Sequence, residues 1–300
     1  MGEFDQTIGF TLMGVLVNTF LTGVIMSQFT TYWTAKYHDP WWTKAVVGVL
    51  FAINITQEAA VLYMAWFYCV TNFNNPSVVA TSLWPYPLTA LSTAIIALIN
   101  QTFQSWRIYI FTQSKLLFGF LLVTALAACG MGIAAAIESW IFSELAKLVA
   151  LQPVVEGNLA LQSSLDVIIS IILSYTFSQS KTSFSSTDKV LNRLIRGAVQ
   201  SGVFTSIFAL GTLLSFRLSP ATYMIALFAL PIGRIYTHTM MDHLVSREEL
   251  RNILSSGHSG SRNNNIISVP YFSTGERSAP MDTIVMVDTA THVTKDGAAY

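Results

Sequence analysis

Apolar runs alternate with short polar stretches seven times before residue 245, at 8–28, 45–70, 87–110, 116–137, 159–177, 191–215 and 221–239. A helix rising 1.5 Å per residue needs about 20 such residues to cross a hydrocarbon core of about 30 Å. In lipid only helices and closed barrels satisfy every backbone group. These runs are too long and too evenly apolar for barrel strands, which alternate faces residue by residue. The pattern predicts an all-α, polytopic membrane protein: a seven-transmembrane-helix bundle over 1–254. From about residue 255, Ser, Asn and Gly replace the apolar periodicity. That change predicts a disordered cytoplasmic tail over 255–300.

Local signals refine these elements. Trp33, Trp41, Trp42, Trp84, Trp106 and Trp140 fall at span ends or in short loops, with Trp66 about a turn from one. Amphipathic rings favour that headgroup level. Ala128, Gly132 and Ala136 recur every four residues in the fourth span, a spacing that lets helices approach closely. Thr187-Asp188 reads as the start of the sixth helix, and the seventh continues through Arg247-Glu-Glu-Leu-Arg251. Residues 139–152, with Glu144 and Lys147, extend the fourth helix or lie along the surface. The sequons at Asn54 and Asn100 lie inside spans and are expected to go unused. Cys69 and Cys129 are expected to be free thiols.

Composition agrees: 52% of residues are hydrophobic and 11% charged, against about 25% charged in soluble domains. The net charge of zero conceals an asymmetry. With the first loop cytoplasmic, Lys36, Lys44, Arg107, Lys115, Lys181, Lys189, Arg193, Arg196, Arg234, Arg247 and Arg251 fall inside, and Lys147 and Arg217 outside. Eleven against two places the N-terminus outside and the C-terminus in the cytoplasm. Glu3 and Asp5 precede a full-length apolar run, which suits an uncleaved N-out anchor better than a cleavable signal.

Ionisable residues within spans are the places to look for function. Glu58 sits near the middle of the second span and Asp166 in the outer half of the fifth, roughly 18 Å and 10 Å from the outer edge at helical rise. Two readings stand open for them: a ligand or proton site in one outward-facing cavity, or protonated acids hydrogen-bonded between helices. Asn54, Gln57 and Glu58 share a helical face, as do Asn100, Gln104 and Arg107, and the two faces are expected to meet. Helix–helix adhesion is one use for them and a water-lined path another. Arg107 occupies the inner end of the third helix, where a seven-helix receptor meets its G protein, although Trp106 stands where an acid would precede it.

What the spans lack excludes other seven-helix classes. A retinal protein needs a Schiff-base lysine in its last helix, and residues 221–244 hold none. A membrane zinc hydrolase needs intramembrane histidines, whereas His38, His238, His243, His258 and His292 all fall on the cytoplasmic side. No P-loop, nucleophile elbow or dinucleotide fingerprint occurs. Neither enzymatic activity nor a cofactor or metal is expected.

The stretch from Ser164 to Ser206 carries a resemblance. It contains Leu165-Asp-Val-Ile-Ile169, Ser180-Lys-Thr-Ser-Phe184, Thr187-Asp188, Leu191-Asn-Arg-Leu-Ile195 and Gly202-Val-Phe-Thr-Ser206. With Thr71-Asn-Phe-Asn-Asn-Pro76, Trp106-Arg-Ile108 and Arg247-Glu248, it resembles the uncharacterised seven-helix membrane proteins of mushroom-forming fungi, over roughly 10–250. The resemblance implies the seven-helix fold and no established activity. Where that family carries an Asp-Thr-x-His-like run, this chain has Asn54-Ile-Thr-Gln57.

The reading that follows is a receptor-like or sensory membrane protein, most naturally of the plasma membrane. Glu58, Asp166, Asn54 and Asn100 are its expected ligand-binding residues, and Arg107, Arg193, Arg196 and Arg234 its cytoplasmic coupling residues. Its partners are the lipid bilayer, a small-molecule ligand and a cytoplasmic protein, with no nucleic acid. The alternatives are a transporter or channel-like protein using the same polar residues, and a non-catalytic membrane scaffold.

Overall fold

A computed structural model describes residues 5–35, 39–73, 83–141, 152–179, 185–218 and 224–257. Through them run seven α-helices: α1 Phe10–Thr34, α2 Trp41–Trp66, α3 Pro85–Thr112, α4 Lys115–Ile141, α5 Gln152–Gln179, α6 Ser185–Leu218 and α7 Met224–Gly257. π-helical turns at Asp5–Gly9 and Phe67–Thr71 extend α1 at its start and α2 at its end. The described residues contain no strand.

Local chemistry sets several ends. Pro40, with ψ 150°, stands extended before α2, and its carbonyl accepts from Thr43 at 3.1 Å. Pro85 opens α3, where its missing N–H would have had no helical partner. Gln113 closes α3 in the left-handed region at φ 54°, its N–H donating to Tyr109 O at 2.8 Å. That turn leaves only residues 113–114 between α3 and α4, so the two pack as an antiparallel pair.

Neighbouring helices pack in chain order, and α7 closes the ring against α1 and α6 while also touching α3. Its described side chains from Leu230 to Ser246 are all buried or half-buried. The α1–α7 approach is close at Gly14, where a Cβ would lie 2.7 Å from Ala226 O. Ala128, Gly132 and Ala136 are buried as the spacing predicted, and a Cβ on Gly132 would lie 2.8 Å from that of Ala94.

Polarity runs opposite to that of a water-soluble bundle. Leu16, Phe20, Leu126, Ile171, Ile207 and Leu214 face outward, while Asn18, Gln57, Glu58, Asp166 and Arg234 are buried. Such a surface suits hydrocarbon, not water. Trp33, Trp41, Trp66, Trp84 and Trp140 are exposed at or near helix ends, as an interfacial belt requires. Four segments are long and apolar enough to cross a membrane: Thr7–Thr34, Trp41–Thr71, Lys115–Ile141 and Pro153–Thr176. The chain is therefore a multi-pass membrane protein. α3, α6 and α7 are long enough but more polar. In α3 and α7 the polarity is turned inward, with Asn100, Gln101, Gln104 and Ser105 buried in α3 and Arg234, Thr237, Thr239 and His243 in α7.

Several expectations shift. α5 begins at Gln152, seven residues before the apolar run at 159–177. Its first turns are held by Glu156, which accepts two hydrogen bonds from Arg217 of α6, both at 3.0 Å. α6 begins at Ser185, ahead of Thr187, and α7 extends to Gly257, past the expected domain boundary at 254. Most of the surface segment at 139–152, the loop at 180–184 with Lys181, and the tail from 258 onward lie outside the described residues. Cys69 and Cys129 are both free.

Candidate functional site

Residues two apart on a helix point roughly 200° from each other. Arg234 and Tyr236 of α7 have that separation, and each binds one of the two membrane acids. The acids thus grip opposite faces of one helix.

On the first face, Glu58 of α2 is surrounded by donors. Asn18 Nδ2 donates to Oε2 at 2.7 Å, Thr19 Oγ1 to Oε1 at 2.7 Å and Thr22 Oγ1 to Oε2 at 2.8 Å. Arg234 Nη2 adds a buried ion pair at 3.3 Å, and its Nη1 donates to Asn54 Oδ1. Asn54 Nδ2 donates in turn to Leu50 O at 2.8 Å and Thr237 Oγ1 at 3.0 Å. Arg234 is completely buried, so Glu58 is the charge that balances it. α1 contributes because Thr11, Asn18 and Thr22 fall on one helical face, turned inward.

On the second face, Tyr236 Oη donates to Asp166 Oδ2 at 2.7 Å and Gln101 Nε2 to Oδ1 at 3.2 Å. The Thr205 hydroxyl is a further hydrogen-bond partner. A small cavity opens beside the carboxylate, lined by Asn100, Gln104, Ser170, Gly202, Thr205 and Thr239 as well as Asp166 and Tyr236. Water centres have about 10 Å³ available there, room for roughly one water. Asn100 Oδ1 and Gln104 Oε1 are buried without a hydrogen-bond partner.

Asp166 lines this space, whereas Glu58 lies on the opposite face of α7. The two acids meet α7 at residues two apart, so they stand at a similar level in the bundle. The faces of α2 and α3 do not meet through Asn54 and Gln104. Asn54 binds Arg234 and Thr237, Gln104 lines the cavity beside Tyr236, and α7 stands between them.

Of the four expected ligand-binding residues, Glu58 and Asn54 come together on one face of α7, and Asp166 and Asn100 on the other. Arg234, grouped above with the inner-face cations, is instead in the bundle core, because its partner is a buried acid and not the lipid headgroups. Arg107 is half-buried near the C-terminal end of α3, and Arg196 is exposed on α6; Arg193 lies on α6, outside the described side chains. Sequence reasoning passed over Asn18, Thr19, Thr22, Gln101, Thr205 and Tyr236. The inward spacing of Thr11, Asn18 and Thr22 was a signal that α1 carries a polar face.

No curated protein and no solved structure matches the chain. Residues 162–249, which include Asp166, Thr205, Arg234 and Tyr236 but not Glu58, are similar to a family of unknown function (DUF6534).

Proposed function

We propose that the chain is a receptor-like, sensory seven-helix membrane protein in which α7 is the moving element and Glu58 and Asp166 are the catches that hold it. All seven helices cross the bilayer in this reading, with the N-terminus outside. Without the buried Arg234, the basic residues still stand ten to two for that orientation (eleven less one, against two). The observation that carries the reading is the pair of acids bonded to opposite faces of α7. A packed helix held by two polar contacts has discrete alternatives to its resting position, and a ligand favouring one of them shifts the population. A small molecule that competes for Glu58 and Asn54, or for Asp166 and Asn100, releases one catch. The displaced α7 is then read by a cytoplasmic partner at the inner ends carrying Arg107, Arg193 and Arg196.

Pulsed dipolar spectroscopy on the full chain in nanodiscs tests this, with Cys69 and Cys129 replaced and labels at Gln113→Cys and Asn252→Cys. Wild type is expected to give one main distance, and Glu58→Gln to populate a second. Identical distributions in both, and in Asp166→Asn, would remove the moving helix from the account.

The transporter reading keeps one specific support, the buried side-chain oxygens of Gln57, Asn100 and Gln104 that lack partners. Solute uptake by proteoliposomes, lost in Asp166→Asn, distinguishes it from the receptor.

A further inference from the structure

The cavity beside Asp166 is lined by a carboxylate, two side-chain amides and several hydroxyls. The Thr239 hydroxyl donates to Ile235 O at 2.9 Å and so turns its lone pairs toward other neighbours, while the Thr205 hydroxyl is shared between Gly202 O at 3.1 Å and the Asp166 carboxylate. Asn100 is 2% exposed and Gln104 5%, both residues line the cavity, and the amide oxygen of each is buried without a partner. Asp166 supplies the carboxylate. Among the described residues no cation pairs with Asp166, since the core arginine, Arg234, faces Glu58 on the opposite side of α7. The side chains that reach the carboxylate, Tyr236, Gln101 and Thr205, are neutral.

We infer that this cavity is a sodium site, with Asp166, Asn100, Gln104, Thr205 and Thr239 supplying the oxygens. Hard cations take carboxylate, amide and hydroxyl oxygens, and these donors are of that kind. A single carboxylate matches a single positive charge. A divalent ion would leave an uncompensated charge in the membrane core, where charge is expensive. The space admits one body of about water size, so the ion enters without its hydration shell, and the five protein donors suit sodium, which takes fewer ligands than potassium. A second buried acid with no ion beside it is what the Glu58 face avoids by using Arg234. The inference is independent of the receptor reading, since a protein that never signals would still bind the ion.

The test is thermal unfolding of the full chain in nanodiscs, followed by tryptophan fluorescence, in sodium, potassium or choline chloride at one ionic strength. An ion that binds only the folded state raises the midpoint with its concentration, by roughly 3–5 °C for each tenfold increase above half-saturation. The rise is expected in sodium, not in potassium or choline, and is expected to vanish in Asp166→Asn while persisting in Glu138→Gln, which removes an acid of α4 outside both faces. Equal midpoints in all three salts overturn the site, as does a sodium response that survives in Asp166→Asn. Should Asp166→Asn fail to fold, Asn100→Ala takes its place, with equilibrium binding of radioactive sodium as the second readout. Weakened binding then supports the site, and unchanged binding refutes it.

Discussion

Arg234 is the residue on which the interior turns. A guanidinium in the membrane core is tolerated only beside a compensating charge, and Glu58 supplies it at 3.3 Å while Asn54 takes a second N–H. Removing one partner strands the other. Arg234→Ala is therefore expected to destabilise the fold by about 3–5 kcal/mol, whereas Tyr236→Phe, which deletes one neutral donor to Asp166, should cost about 1–3 kcal/mol. Denaturation in mixed micelles reads both, and equal losses would contradict the ranking. The acids and amides of this interior were legible, because Glu58, Asp166, Asn54 and Asn100 interrupt apolar runs and all four are buried. Arg234 was misread because counting basic residues treats each one near a span end as facing the headgroups. Its partner lies 176 positions away, and spacing along the chain does not encode such a pairing.

At the level of elements, α7 and its approach to α1 organise the bundle. Gly14 lets the two backbones close until a Cβ would meet Ala226 O at 2.7 Å, whereas a Cβ at Gly48 on α2 meets nothing within 4 Å. Gly14→Ala should therefore cost about 1–3 kcal/mol by prising α1 from α7. Gly48→Ala should leave stability unchanged or raise it by up to about 1 kcal/mol. Parallel unfolding curves check the contrast, and a neutral Gly14→Ala would mean that the contact is slack. The apolar runs revealed that seven helices exist but misplaced their ends. Gln152, Glu156 and Asn158 fall below the threshold of an apolar run, yet α5 includes them, and Glu156 is anchored there by Arg217.

For the molecule as a whole, the exposed leucines and phenylalanines and the buried acids and amides make lipid the natural surroundings, and the proposed N-out orientation rests on the charge bias. In a background lacking Cys69 and Cys129, an impermeant maleimide applied to intact cells should label Phe73→Cys, beyond the outer end of α2. Gln113→Cys, in the α3–α4 link, should label only after permeabilisation. The reverse pattern would invert the orientation, and equal access at both sites would remove α3 as a span. The central claim is that Glu58 and Asp166 grip opposite faces of α7 as separate catches, and double-mutant cycles on unfolding free energy test it most directly. The account predicts coupling of about 0.5–3 kcal/mol within Glu58–Arg234 and within Asp166–Tyr236, and no more than about 0.5 kcal/mol between Glu58 and Asp166. Coupling between the two acids as large as that within each pair would contradict it.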